Sequence, residues 1–138
     1  MIDGALIPED GTNLLTTLGI RRTEASTERV VCELEFRPEL QQLTGVFHAG
    51  AILALADSAA TSLSMRLVHP EGEVSAGRFP LTVQLNANLL RNTGEGTITA
   101  EALPVHRGRT MIVVSTTVRD AAGRTLATQT STHLVLDR

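Results

Sequence analysis

The chain has 138 residues, 42% of them hydrophobic and 20% charged, with a formal net charge of -3. This length suits one domain spanning residues 1–138, and the balance suits a globular fold over a disordered segment. Mild acidity gives no reason to expect nucleic acid or an anionic membrane as partner, and a chain with no Trp or Tyr has no platform for stacking bases.

Cys32 is the only cysteine, which excludes a disulfide within the chain and a cysteine metal cluster. It sits in the alternating run Val30-Val-Cys-Glu-Leu-Glu-Phe36 and reads as a small strand residue. The opening MIDGALIPEDG lacks the basic and apolar regions of a signal peptide. No apolar run reaches the roughly 18 residues of a membrane span, so a cytoplasmic location is the default expectation.

In chain order, residues 9–18 read as a short helix with Asp10 or Thr12 near its start, and a lead-in strand completes residues 1–27. Residues 27–36 alternate as a strand that Pro38 ends. Residues 37–47 form a loop, and a helix runs from about 48 to 67. Pro70, Gly72 and Gly77 mark an irregular connection. Residues 81–90, 96–106, 110–119 and 125–136 are rich in Val, Thr, Ile and Leu, as strands are. The links at 92–95, 107–109 and 120–123 are short and turn-forming, which suits antiparallel hairpins. A long helix among strands predicts an α+β fold with the helix on one antiparallel sheet. A helix apolar on nearly every side must be covered nearly all round, by a curved sheet and a second subunit.

The helix carries one carboxylate, Asp57, in its middle. At about 100° per residue, Ile52, Leu55, Ala56, Ala59 and Leu63 share one face, and Gly50, Asp57, Thr61 and Ser64 share another. No Lys or Arg occurs between His48 and Arg66. A buried carboxylate without a cation is costly and is a functional candidate, whereas a solvated surface group is neither. Spacing leaves both readings open, although Leu53, Ala54 and Ala60 are unusual company for an exposed face. Before the helix, Gly45-Val-Phe-His-Ala-Gly50 makes a glycine-flanked entrance. The first helical amides have no internal partners, and small residues at 49 and 50 let a ligand reach them, as an oxyanion hole requires. His48 reads more readily as a group bonding nearby backbone than as an acid or base.

These residues resemble the hotdog-fold acyl-CoA thioesterases of the phenylacetate-pathway and 4-hydroxybenzoyl-CoA type. That family places Asn or Gln, then Gly, before a His-Gly-Gly that opens a long helix, with Asp or Glu about two turns in. Here the pattern is Gln42-Leu-Thr-Gly45-Val-Phe-His48-Ala49-Gly50, then Leu-Ala-Asp57-Ser. Residues 88–94, 106–109 and 118–123 look like the family's later strand and turn signatures. The resemblance implies a hotdog fold, a long central helix wrapped by a curved antiparallel sheet. It also implies a homodimer with shared active sites, often paired into a homotetramer. It casts Asp57 as nucleophile or general base and Gln42 as the amide that positions thioester or water. Ala49 and Gly50 would polarise the carbonyl, His48 opens the motif, Thr61 supports the carboxylate and Thr82 lies near the attacking water. Ala49 departs from the usual glycine; its backbone donor survives, but its methyl narrows the slot.

The implied reaction is hydrolysis of an acyl- or aryl-CoA thioester, with no cofactor and no metal. Arg91, Arg107 and Arg109, at strand ends or turns, are candidates for the phosphates of coenzyme A. A hydratase or dehydratase pairing His48 with Asp57, or a non-catalytic acyl-CoA-binding domain, are the alternatives.

Overall fold

The computed structural model describes residues 12–71 and 78–137. Helix α1 spans Leu14–Leu18, shorter than expected, with Thr12 near its start and Asn13 as its cap. Asn13 accepts from the Thr16 amide at 3.1 Å while the Thr16 hydroxyl accepts from the Asn13 amide, a reciprocal capping box. Asp10, like Gly72 and Gly77, lies outside the described residues. Gly19, at φ +84°, ends α1 in a left-handed cap.

Strand β1 (Arg21–Ala25) pairs with β2 (Val30–Glu35). The second strand starts later than residue 27 because the Ser26 hydroxyl accepts from the Glu28 and Arg29 amides and turns the chain there. Helix α2 (Ala49–Val68) follows, then β3 (Arg78–Leu89), β4 (Thr97–Arg107), β5 (Met111–Arg119) and β6 (Thr125–Asp137). All strand pairs are antiparallel, in the order β1-β2-β4-β5-β6-β3. The sheet is curved and unclosed, with β1 and β3 at its edges.

Two of the three expected hairpins form. Gly108 closes β4–β5 by donating to Met111 O at 2.9 Å, and Gly123 (φ +85°) closes β5–β6 on Asp120 O at 2.9 Å. The 92–95 link is not a hairpin, because β3 and β4 are separated by β5 and β6. Its polar groups dock instead on the start of α2: Phe47 donates to Thr93 O at 3.0 Å, and Asn92 Nδ2 donates to Phe47 O at 2.8 Å. Local turn chemistry cannot distinguish these uses.

α2 contacts all six strands. Ile52, Leu55, Ala56, Ala59 and Leu63 are buried against Val30, Leu34, Ile98, Val114 and Val118. Each large aliphatic contributes about 1.5–3 kcal/mol by leaving water. Phe36 and Phe47 meet edge-to-face at 5.1 Å below the helix start. With a mean hydropathy of 1.3 over 20 residues, α2 is long and apolar enough to cross a membrane, contrary to the expectation from uninterrupted runs. Alanine and leucine raise the average despite Asp57 and Arg66. The strands packed around α2 account for that composition, since a core helix meets the same test.

The inner sheet face is not wholly apolar. Thr116 of β5 and Gln129, Ser131 and His133 of β6 are buried. Burial pushes the His133 imidazole below its ordinary 6.5, against the opposing pull of the Asp57 carboxylate. The unfolded chain therefore takes up this proton first. The stability contributed by neutral His133 is full above 6.5 and is lost as pH falls through that value toward the folded pKa. Lowering the pH from about 8 to about 5.5 should reduce the urea midpoint more in wild type than in His133→Asn. Equal reductions would remove the ring as the source. Both polar atoms of Gln129 and the Thr116 hydroxyl lack hydrogen bonds among the described residues. Gln129→Leu removes two such atoms and should stabilise the fold by about 1 kcal/mol, read as a higher urea midpoint; a lower midpoint would mean that the amide is satisfied in solution.

Candidate active site

The entrance to α2 is held from several sides. His48 donates its amide to Leu40 O at 2.8 Å, and Gln42 donates to Val46 O at 2.8 Å. Gly45 takes φ +85°, and its carbonyl lies against Gly94 so closely that a Cβ on Gly94 would sit 2.5 Å from the oxygen. Glycine at 94 is what lets the 92–95 link lie against the entrance.

The His48 ring caps the helix: its Nδ1 accepts from the Gly50 amide at 2.8 Å. That fixes Nε2 as the protonated nitrogen of the neutral ring. It also claims one of the two amides expected to polarise a carbonyl. The Ala49 amide has no such partner among the described residues, so the free donor at this helix start is Ala49 alone. The start carries positive partial charge, which favours a developing oxyanion.

Two turns on, Asp57 is half-buried. The Thr82 hydroxyl of β3 donates to its Oδ1 at 3.0 Å, and Thr61 Oγ1 lies 3.4 Å from Thr82 Oγ1. Ser64, grouped with them by helical spacing, is fully buried and donates to Ala60 O at 3.0 Å, so it stands apart from the site. Behind Thr82, His133 Nδ1 lies 3.3 Å from the same hydroxyl, and its Nε2 lies 2.9 Å from Ser131 Oγ. Asp57 therefore rests on one hydroxyl, that of Thr82, and has no cationic partner among the described residues.

The structure brings Asp57, Thr61 and Thr82 together and holds His48, Ala49 and Gly50 at the helix start. Gln42 sits on the entrance loop, its Nε2 donating to Thr44 Oγ1 at 2.7 Å. The arginines are divided. Arg91 lies at the helix-start end, where its amide donates to Leu126 O. Arg107 and Arg109 lie at the opposite end, beside a cleft of about 430 Å³ that Leu67, Val68 and Arg78 also line. Arg107 is paired with Glu28 at 2.7 Å, whose carboxyl it holds below the usual range. A second cleft of about 310 Å³ borders the helix start, between Leu14 and Leu18 of α1 and Gly50 and Ala54 of α2. On α2 the lining of this cleft ends at Ala54, and Asp57 follows one turn further along the same face.

His133 and Ser131 were not anticipated as neighbours of Asp57. The signal was present, because Gln129, Ser131 and His133 alternate on the face of β6 that Val135 marks as buried. Pairing β6 with β3, and not β3 with β4, sets His133 opposite Thr82.

Comparison with known proteins agrees with this architecture. The family profile "Thioesterase superfamily" matches residues 44–127, more than half of the chain. The Bacillus subtilis (strain 168) protein named "Putative esterase ComA2" is 34% identical over 125 residues, covering 91% of this chain and 95% of its own. A 1,4-dihydroxy-2-naphthoyl-CoA hydrolase of Listeria monocytogenes is 27% identical over 113 residues, covering 82% of this chain and 87% of its own. In fold, the crystal structure of thioesterase HI1161 from Haemophilus influenzae superposes with a TM-score of 0.81 at 22% identity, covering 91% of this chain and 84% of that one. With a profile match across the helix and strands β3 to β5, the chain belongs to the thioesterase superfamily and is a hotdog-fold thioester hydrolase.

Proposed function

We propose that the substrate is an acyl- or aryl-CoA thioester, hydrolysed to the free acid and CoA with Asp57 as the catalytic carboxylate. The observation that carries this is the Asp57 carboxylate held through Oδ1 by Thr82, on the same helix whose first amide, Ala49, is free. The naphthoyl-CoA hydrolase among the relatives supports the CoA ester class. As general base, Asp57 takes a proton from water as its oxygen attacks the thioester carbon. The C–S bond then breaks and the thiolate receives the proton. As nucleophile, Asp57 itself displaces the thiolate and water cleaves the resulting anhydride. In either course the carbonyl oxygen becomes negative and meets the Ala49 amide. Arg91, Arg107 and Arg109 are the candidates for the CoA phosphates. Arg91 and Arg109 have no ion pair among the described residues.

The active form in this proposal is a two-fold homodimer in which Gln42 and Ala49 of one chain face Asp57 and Thr61 of its partner. Strand β3 supports it: this edge exposes Val83, Leu85 and Leu89, with Leu90 following, and an apolar unpaired edge is a template for another strand. Asp57 bonds to that same strand. Pairing of dimers into a tetramer follows from the family resemblance alone.

Asp57→Asn should lower turnover of the best acyl-CoA by about 10²-fold or more with the fold retained, and Thr61→Ala by less. CoA release followed with a thiol reagent, across aryl, short-chain and long-chain acyl-CoAs, is the measurement. A near wild-type Asp57→Asn enzyme would remove the catalytic assignment. For the shared site, Gln42→Ala and Asp57→Ala are unfolded and refolded together in equal amounts. Random pairing makes about half the dimers mixed, each with one intact site, so activity should return to roughly a quarter of wild type. Mixed dimers verified by mass that stay as inactive as either parent would place the whole site within one chain.

A further inference from the structure

The hydroxyl that holds Asp57 raises a question of proton direction. Thr82 Oγ1 has one proton and three polar neighbours: Asp57 Oδ1 at 3.0 Å, His133 Nδ1 at 3.3 Å and Thr61 Oγ1 at 3.4 Å. An ionised carboxylate only accepts, so the Thr82 proton must point at Asp57 for that contact to be a hydrogen bond. His133 Nδ1 must then be the donor to Thr82. A neutral ring protonated at Nδ1 has a bare Nε2, and the Ser131 hydroxyl, 2.9 Å away, is placed to donate to it. Every proton in the row Ser131–His133–Thr82–Asp57 thus points the same way. His133 and Ser131 are both fully buried, so bulk water does not compete for them.

We propose that His133 is a positioning residue for hydrolysis: its Nδ1–H fixes the Thr82 hydroxyl so that Asp57 Oδ1 is held and Oδ2 faces the reaction. Ser131 selects the tautomer that can do this. If the Nε2–H tautomer formed, Nδ1 would become an acceptor. Thr82 would then be drawn away from Asp57, and the carboxylate would lose its anchor. Burial disfavours the imidazolium, and in the neutral ring the Ser131 hydroxyl donates to Nε2; an imidazolium would keep the Nδ1–H on Thr82 and make Ser131 the acceptor. The inference rests on Asp57 being the catalytic carboxylate for its effect on rate, but not for the tautomer itself.

The test therefore has two arms. In the first, ¹⁵N and ¹H NMR of the imidazoles, with the His133 signals assigned by their loss in His133→Asn, should show Nδ1 protonated and Nε2 bare in wild type. Ser131→Ala should shift that balance. A ring protonated at Nε2 overturns the proposal, whether or not any CoA ester is hydrolysed. In the second arm, kcat and KM are measured with the best acyl-CoA. His133→Leu should lower kcat on the order of tenfold with KM nearly unchanged, as expected for a misaligned carboxylate. His133→Asn keeps an N–H at nearly the Nδ1 position and should restore most of that loss. Thr82→Val should match His133→Leu, and the double variant should be no worse than Thr82→Val alone, because the two act in series. Losses that add, or an Asn variant as impaired as Leu at equal thermal stability, would overturn the role. If Asp57→Asn is fully active while the tautomer is as expected, the catalytic reading fails and the proton row stands.

Discussion

The covering of α2 is the constraint from which the rest of the structure follows. Its middle turns present Ile, Leu and Ala on most sides, and such a helix is stable only where apolar surface meets it in nearly every direction. A six-stranded antiparallel sheet bent around it meets that need from one side, and all six strands touch the helix. What the sheet leaves uncovered is the stripe of exposed Gly50 and half-buried Ala54, Asp57 and Thr61. That stripe gives a carboxylate a place at the margin of the core, whereas the hydroxyls of Ser62 and Ser64 are buried within it. The site is where it is because the core occupies everywhere else.

A second consequence concerns the helix start. A helix enclosed along its length still has free amides at its first turn, and these are useful only if the entrance does not move. The link between β3 and β4 supplies that restraint. It crosses the open end of the sheet and bonds to Phe47 from two residues, while Gly94 packs on Gly45. The His48 ring then satisfies Gly50 and leaves Ala49. The methyl that replaces the family's usual glycine at 49 does not affect this, because the donor is backbone.

Much of this was legible in residue order. Apolar spacing marked α2 to within a residue at each end, and β-branched runs marked β3 to β6. Asp57 stood out because no cation lies near it in the helix. Two things were not legible. The 92–95 link carries the same Asn-Thr-Gly residues as a hairpin turn, and only long-range pairing of β3 with β6 reveals it as a crossover. The inward polar residues of β6 were hidden for the same reason. Alternation says that Ser131 and His133 share a face, but the neighbour of that face depends on which strand lies alongside.

The manner in which Asp57 is held bears on its chemistry. An arginine beside it would stabilise the carboxylate and lower its basicity and nucleophilicity, as Arg29 does for Glu101 on the outer face of the sheet. Hydroxyls act differently. Thr82 gives Asp57 one neutral hydrogen bond, enough to fix its orientation, without adding a full positive charge. The cost of keeping a carboxylate half-buried without a cation is reduced by its place at the margin of the core, where one oxygen can still reach water. In the proposed reaction, orientation comes from the sheet, through Thr82, and reactivity from leaving the second oxygen unpaired. A sheet that wraps a helix can supply the first while its open edge supplies the second, which is why the carboxylate stands opposite β3 and not opposite a central strand.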